Sequence, residues 1–172
     1  MKWVLIILAV LVGLVAVMWI VGAMLPKQHV ASRAARHRQP PEKIWEAITN
    51  IDAMPAWRPG LKSIKRLADQ NGKAAWVETG SFGEIPIAIE ESAPPQRLVT
   101  RIADPKLSFG GTWTYEITPA DGGCALRVTE RGEIRPALFR FMARFFFGYT
   151  STMEQYLQGL GKKFGEDVRP TE

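Results

Sequence analysis

The residue types that most often bind metals or carry catalysis are sparse in this chain of 172 residues. His29 and His37 are the only histidines, Cys124 is the only cysteine, and no H-E-x-x-H or paired Cys-x-x-Cys pattern occurs. The glycines form no G-x-x-x-x-G-K-[ST] loop and no G-x-S-x-G turn. Because zinc sites, phosphate loops and nucleophile elbows need such patterns, we expect no metal and no cofactor.

Glu130 is the best candidate for proton transfer. It shares the parity of Leu126 and Val128 in a predicted strand, so its carboxyl group is expected to point inward with them. A buried carboxyl group there could donate or accept a proton, whereas an exposed strand end would leave Glu130 solvated. Three other polar residues interrupt apolar strands and could complete an acid–base pair: Glu78, Arg101 and Tyr115.

A short helix followed by a rigid bend must position one side of any site. Pro41 suits a first helical turn, and Ile44 and Ile48 recur at the spacing of one buried helical face. Pro55 and the second proline of W-R-P-G then prevent the helix from continuing. We therefore expect an irregular elbow over residues 50–60, placed to form part of a cavity rim.

Strand patterns follow the elbow at short intervals. The Gln70-Asn71-Gly72 turn predicts a hairpin, and Pro86 predicts that its strand lies at a sheet edge. A weaker pattern over residues 30–38 precedes the helix. The short connections predict an antiparallel meander of about six strands, at residues 61–67, 74–79, 84–90, 97–102, 112–118 and 125–130.

Residues 135–164 are predicted to form one long helix. Arg140 and Arg144 should lie on its outer side, and three glycines near its end should weaken the last turns. Its apolar face contains Leu138, Met142, Phe145, Tyr149, Met153, Tyr156 and Leu160.

A curved antiparallel sheet wrapped around this helix buries the apolar side of each, which gives an α+β fold with room for a cavity between them. Aromatic residues such as Phe82 and Phe139 belong to the apolar set, although such residues usually pack in an ordinary core. Phe147 is expected on the outer side of the helix, where it could contact lipid headgroups. The candidate ligand-binding residues are Met54, Trp57, Trp76, Ile87, Trp113, Tyr115, Glu130, Met142, Phe145 and Tyr149.

Residues 3–25 contain no charged side chain, and a helix of that length spans the roughly 30 Å hydrocarbon core of a bilayer. We expect a retained single-pass anchor rather than a signal peptide, because a good A-x-A-like cleavage site is missing. Lys27, Arg33, Arg36 and Arg38 favour a cytoplasmic domain. A short N-terminus with Lys2 is equally typical of anchors that export the following chain, so both orientations remain open.

The chain carries 22 Lys and Arg against 17 Asp and Glu, a formal charge of +5. The positive residues are scattered among acidic ones and form no basic stripe, so we expect no nucleic-acid partner. Membrane lipids are the expected partner of a tethered domain, with an ordinary solvated surface as the alternative. The sequence does not select an oligomeric state.

The stretch PPEKIWEAITNIDAMPAWRPGLKSI resembles the N-terminal signature of the START-like or SRPBCC superfamily, in particular its polyketide cyclase/dehydrase and lipid-transport group. A Phe109-Gly110-Gly111-Thr112-Trp113 entry into a strand and the aromatic terminal helix are similar to later parts of that pattern. The resemblance implies a helix-grip fold with an apolar cavity. We expect an anchor at residues 1–26, a START-like helix-grip domain at 27–168 and a disordered tail at 169–172.

Three functions fit these features. The first is a membrane-anchored module that binds an apolar molecule, since the resemblance implies lipids, sterols, polyketides or quinones as ligands. The second is a cyclase or dehydratase with an acid–base pair in the cavity, and the third is a structural or assembly factor with a filled core. Fold analogy supplies no reaction, so we expect binding rather than catalysis.

Overall fold

The computed structural model describes residues 2–70, 72–81 and 83–172, so Asn71 of the predicted hairpin turn and Phe82 lie outside the described residues. The helices are α1 (Lys2–Met24), α2 (Pro41–Thr49), a 3₁₀ helix (Ile51–Ala56), α3 (Ala137–Met142), a π-helical segment (Ala143–Phe147) and α4 (Ser151–Lys163). The strands are β1 (Gln28–His37), β2 (Leu61–Arg66), β3 (Ala75–Gly80), β4 (Gly83–Ala93), β5 (Arg97–Ile102), β6 (Phe109–Ala120) and β7 (Gly123–Ile134).

The seven strands form one antiparallel sheet in the order β1-β7-β6-β5-β4-β3-β2. Strands β2 to β6 each pair with the next strand in the chain, as the short connections predict. Strand β1 pairs with β7 along its whole length, from Gln28 opposite Glu133 to His37 opposite Cys124. The curved sheet holds α2 and α4 against its inner face, which confirms the predicted helix-grip fold.

The core lies between this inner face and the two helices. Ile44 and Ile48 of α2 and Tyr156 of α4 are fully buried, as helical spacing predicts. They contact Leu126 and Val128, which alternate inward along β7 and are also fully buried. This packing fixes the distance between the helices and the sheet.

The prediction that Pro86 marks an edge strand is wrong, because β4 lies between β3 and β5. Pro86 stands opposite Val77 on β3, and its carbonyl accepts a bond from Ala103 N at 2.7 Å on the other side. The N and C=O of one residue point to the same side of a strand, so the N–H that Pro86 lacks would face β5. Strand β5 ends at Ile102, the residue before Ala103. The missing N–H of Pro86 therefore breaks no ladder bond.

The predicted single C-terminal helix is wrong in one respect, since it is interrupted between α3 and α4. Gly148 has φ 71°, a left-handed conformation that glycine adopts without strain, and it ends the π-helical segment. The chain re-enters a helix at Ser151. The apolar face is thereby divided, with Met153 and Tyr156 in the core while Phe145 is 56% exposed.

Two glycines in α4 allow close packing. A Cβ at Gly159 would lie 2.6 Å from the carbonyl oxygen of Trp57, and one at Gly161 would lie 2.7 Å from the side chain of Val168. The first contact lets the elbow after α2 approach α4. Helix α4 continues through both glycines and ends at Lys163, while the predicted weakening of its last turns stays a prediction.

Helix α1 is exposed along most of its length and packs on the domain only near its end. Gly22 is its buried residue, and a Cβ there would lie 2.0 Å from the carbonyl oxygen of Ala137. Arg140 Nε donates to Gly22 O at 2.8 Å, and Nη2 reaches Ala23 O at 3.5 Å. Arg140 is thus not on an outer face as predicted, because it is buried where it caps the free carbonyls of α1.

The end of the chain covers part of the outer edge of β1. Thr171 N donates to Ala34 O at 2.8 Å, and Ala34 N donates to Thr171 O at 2.9 Å. At Thr171 this pair supplies the ladder bonds that edge strands lack, while the disordered tail at 169–172 stays a prediction.

Candidate functional site: an internal cavity

A cavity of about 470 Å³ lies between the inner face of the sheet and the helices. Side chains from strands β3 to β7 line one side, and residues of α2, the elbow, α3, the π-helical segment and the start of α4 line the other. Most of the lining side chains are apolar. The cavity is therefore the space that the curvature of the sheet leaves unfilled.

Seven of the ten candidate residues line this cavity: Met54, Trp76, Ile87, Trp113, Tyr115, Glu130 and Tyr149. Trp57, Met142 and Phe145 are absent from the lining. Trp57 packs edge-on against Tyr156 with ring centroids 5.2 Å apart, and the break at Gly148 separates Met142 and Phe145 from the buried helical face. The binding roles of all ten residues remain predictions.

An ion pair marks the buried end of the cavity next to the elbow. Arg58 Nη1 donates to Glu78 Oε1 at 2.6 Å, and Trp76 Nε1 donates to the same oxygen at 3.1 Å. The guanidinium carbon of Arg58 lies 5.9 Å from the ring centre of Trp113 and 5.5 Å from that of Tyr156. Aromatic faces and a carboxylate thus hold one positive charge at this end.

Burial controls the charge states around this pair. It raises the pKa of Tyr115 to about 12, and it raises the pKa of Tyr156 well above the ordinary value, so both phenols stay neutral. Burial is the largest single influence on the pKa of Arg58 and lowers it, but the charge of Glu78, the hydrogen bond to it and the two tyrosines together outweigh burial, so the pKa of Arg58 is raised. The buried end therefore presents one guanidinium and neutral hydroxyl groups.

A second polar cluster lies toward the mouth, where the lining side chains Phe139 and Phe147 are exposed. Glu130 Oε1 lies 3.0 Å from His29 Nε2, and Glu130 Oε2 accepts a bond from Trp113 Nε1 at 2.8 Å. The ring of His29 stacks on Tyr149 with centroids 4.1 Å apart. Since His29 opposes Gly132 on β7, the missing side chain at Gly132 leaves room for the pair.

Two of these polar residues, His29 and Arg58, are not among the candidates that the sequence predicts. His29 shares the parity of Ala31 and Ala35 on β1, which pack in the core, so strand alternation could have placed it inward. Arg58 follows the 3₁₀ helix on the irregular elbow, where no periodic signal indicates direction. Of the acid–base candidates, Arg101 also lines the cavity but donates to Glu90 at 2.7 Å.

The arrangement can hold an apolar body along the sheet and a polar group at either end. Among the described residues no cluster of three or more His, Cys, Asp or Glu side chains could hold a metal ion. The His29–Glu130 pair can move a proton in principle, because its atoms are within hydrogen-bond distance and face the cavity.

The sequence of the domain matches a described protein family over most of its length. The family model described as polyketide cyclase/dehydrase and lipid transport matches residues 29–165. No curated protein matches the sequence. Solved structures that resemble the domain share its fold at low sequence identity.

A START superfamily protein from Mycobacterium smegmatis is 18% identical with a TM-score of 0.62, over 78% of this chain and 96% of that chain. A hypothetical protein from Helicobacter pylori, jhp0584, is 12% identical with a TM-score of 0.63, over 77% of this chain and 85% of that one. The di-domain ARO/CYC StfQ of the steffimycin biosynthetic pathway is 14% identical with a TM-score of 0.62 over 77% of this chain. The match spans half the length of StfQ.

Proposed function

Because this chain belongs to the polyketide cyclase/dehydrase and lipid-transport family, we propose that it is a membrane-anchored protein that binds an apolar small molecule in its cavity. The observation that carries the proposal is the cavity of about 470 Å³ with mainly apolar walls. Small-molecule sites have volumes of roughly 300–1,000 Å³ and combine apolar walls with a few polar groups. A purely structural domain would fill this space, because protein interiors pack densely.

The polar groups favour a ligand with two chemical parts. An acyl chain, an isoprenoid or a fused ring system suits the apolar walls along β4 to β6. A hydroxyl, carbonyl or acidic group suits the end where Arg58 and Glu78 lie, because an unpaired polar atom would be costly there. Lipids, quinones and polyketide-like molecules all meet this description.

The junction between α1 and the domain supports a retained anchor. Helix α1 is long and apolar enough to cross a bilayer and is exposed over that length. A cleaved signal sequence would take away Gly22 and Ala23, whose carbonyls accept bonds from the buried Arg140. Losing those acceptors would leave a buried charge partly unpaired, which is unfavourable.

Mass spectrometry of co-purifying molecules tests the binding function. The full chain would be purified in detergent and extracted with organic solvent, alongside Ile87→Trp, which fills the cavity. Val77→Trp is the matched control, because Val77 lies on the adjacent strand with the opposite parity to Trp76 and does not line the cavity. We expect a ligand in the wild-type protein and in Val77→Trp that falls several-fold in Ile87→Trp. Equal lipid content in all three proteins would show that binding is confined to detergent-exposed surfaces.

The His29–Glu130 pair favours one second candidate, an enzyme that transfers a proton at the cavity mouth. The partners first considered for Glu130, Arg101 and Tyr115, do not contact its carboxylate among the described hydrogen bonds. The test is to incubate the extracted ligand with the protein and follow its mass and ultraviolet spectrum. A conversion that Glu130→Gln abolishes, while ligand retention is unchanged, would establish the enzyme.

A further inference from the structure

Three consecutive phenylalanines are exposed next to the cavity mouth. Phe145, Phe146 and Phe147 are 56%, 66% and 59% exposed, and Leu138 and Phe139 add 38% and 37%. Burying apolar side chains is favourable, so leaving five of them in water is unfavourable. An apolar patch of this kind marks a surface that another phase or partner covers.

The patch is fixed to the end of α1. Gly22 allows α1 to approach Ala137 so closely that a Cβ would overlap the Ala137 carbonyl at 2.0 Å. The Arg140 guanidinium then joins the two helices through Gly22 O at 2.8 Å. Helix α3 therefore lies between α1 on one side and the cavity, which Phe139 lines, on the other.

This contact sets the height of the patch relative to a bilayer. Helix α1 has 23 residues, or about 34 Å at 1.5 Å per residue, against a hydrocarbon thickness of roughly 30 Å. Gly22 lies two residues before the last residue, Met24, so the contact with Ala137 is roughly 3 Å along the axis from the helix end. The patch therefore lies near the boundary between hydrocarbon and headgroups.

We propose that residues 137–147 lie in the interface of the phospholipid bilayer that α1 crosses, with Phe145, Phe146 and Phe147 in contact with acyl chains. The inference rests on the proposed anchor function of α1. The bilayer, rather than a protein partner, is the occupant because the patch continues the exposed surface of α1. Arg144, which is exposed and forms no ion pair among the described residues, is placed to meet anionic headgroups.

The position of the cavity gives this docking a consequence for ligand uptake. Phe139 and Phe147 belong to the patch and also line the cavity. With the patch in the bilayer, the mouth opens toward lipid, and an apolar ligand passes between the membrane and the cavity without crossing water.

Spin labels on single introduced cysteines, with the native Cys124 replaced by Ala, test the docking in the full chain, reconstituted in vesicles of phosphatidylcholine and phosphatidylglycerol. The labelled positions are Phe146→Cys in the patch, Val12→Cys in the middle of α1 and Asp121→Cys. Asp121 lies in the β6–β7 turn, about 35 Å along β7 from the α3 end. We expect the labels at 146 and 12 to be relaxed by dissolved oxygen and protected from a water-soluble nickel complex, and the label at 121 to behave in the opposite way.

The outcomes separate the two proposals. If the nickel complex reaches the label at 146 as readily as the label at 121, while the label at 12 stays protected, the docking proposal is overturned and the anchor proposal is not. Nickel access at both 146 and 12 would overturn the anchor and the docking together.

A matched pair of variants tests whether α1 sets the depth. Gly22→Leu forces α1 away from Ala137, whereas Gly13→Leu adds the same side chain to α1 where, among the described residues, no atom beyond the helix's own backbone lies within 4 Å. Only Gly22→Leu should increase nickel access to the label at 146, by several-fold. An equal effect of both variants, or no effect of either, would overturn the role of this contact.

Discussion

The carboxylate of Glu130 lies 3.0 Å from the imidazole Nε2 of His29, across 101 residues of sequence. The pair joins the first strand of the sheet to the last, because β1 and β7 are neighbours. It stands at the cavity mouth, with Trp113 and Tyr149 around it.

The space beside Gly132 is needed for the His29–Glu130 pair. A Cβ at Gly132 would lie 2.3 Å from His29 Cε1 and 2.7 Å from Glu130 Oε1, so Gly132→Ala should force the two side chains apart. Overpacking of this kind costs roughly 1–3 kcal/mol of unfolding free energy. Chemical denaturation in detergent micelles would measure the loss of unfolding free energy. The amount of bound ligand would measure the effect of the separated side chains on the cavity.

Gly110→Ala is the matched control, because Gly110 also lines the cavity but its nearest non-neighbour atom would be 3.9 Å away. It should change stability by less than about 0.5 kcal/mol. Equal losses in the two variants would contradict the steric explanation.

Glu78 should be needed for stability because it neutralises a buried charge. Glu78→Gln removes the negative partner of Arg58, whose side chain is only 19% exposed. Breaking a buried pair costs roughly 3 kcal/mol, which denaturant titration can detect. Glu46→Gln breaks an exposed pair with Lys43 and should cost less than about 1 kcal/mol. A Glu78→Gln protein as stable as Glu46→Gln would show that Arg58 is satisfied by other groups.

His37 should make the protein less stable in weak acid. Burial lowers the pKa of His37 below 6.5, against a smaller upward effect of Glu166, whose carboxylate lies 3.6 Å away. Native His37 is therefore neutral while the unfolded chain takes up a proton below about pH 6.5. Its contribution to stability is present above that pH and is lost as the pH falls toward the native pKa.

His37→Gln should consequently flatten the dependence of unfolding free energy on pH in the range below about 6.5. Urea titrations of the wild-type protein and the variant at several pH values measure this slope. Parallel slopes in the two proteins would exclude His37 as the titrating group.

Cys124 should resist thiol reagents in the folded protein. It is 1% exposed, and burial raises the pKa of its thiol to about 11, so little thiolate forms at pH 8. Reaction with Ellman's reagent should follow unfolding and accelerate by several orders of magnitude in denaturant. Asp121→Cys places a thiol in the exposed turn just before Cys124 and should react at once. Comparable native rates at the two positions would mean that the β6–β7 hairpin opens readily.

The repeating parts of the fold could be predicted from the sequence because their patterns are periodic. The strands alternate and the faces of α2 and α4 follow helical spacing, and these repeats report which side is buried. The same alternation along its strand predicts that Glu130 points inward, and its side chain lines the cavity. The periodic patterns therefore located part of the cavity wall.

The features that escaped prediction depend on single contacts between distant segments. Gly148 could have continued a helix, since isolated glycines are tolerated there, and its φ of 71° reflects where α3 and α4 must each pack. Arg140 has the spacing of an outward residue, but the end of α1 supplies the carbonyls that bury it. Arg58 and Glu78 meet only because the elbow folds over β3. No local pattern carries such information.

The strand order also fixes when this fold can be completed. Strands β2 to β7 each find a partner among their sequence neighbours, so these pairings close short loops and can form early. Strand β1 follows directly after α1 and must wait for β7, the last strand made. Loop closure between β1 and β7, the two ends of the domain, is therefore the pairing that completes the sheet and the slowest one to form.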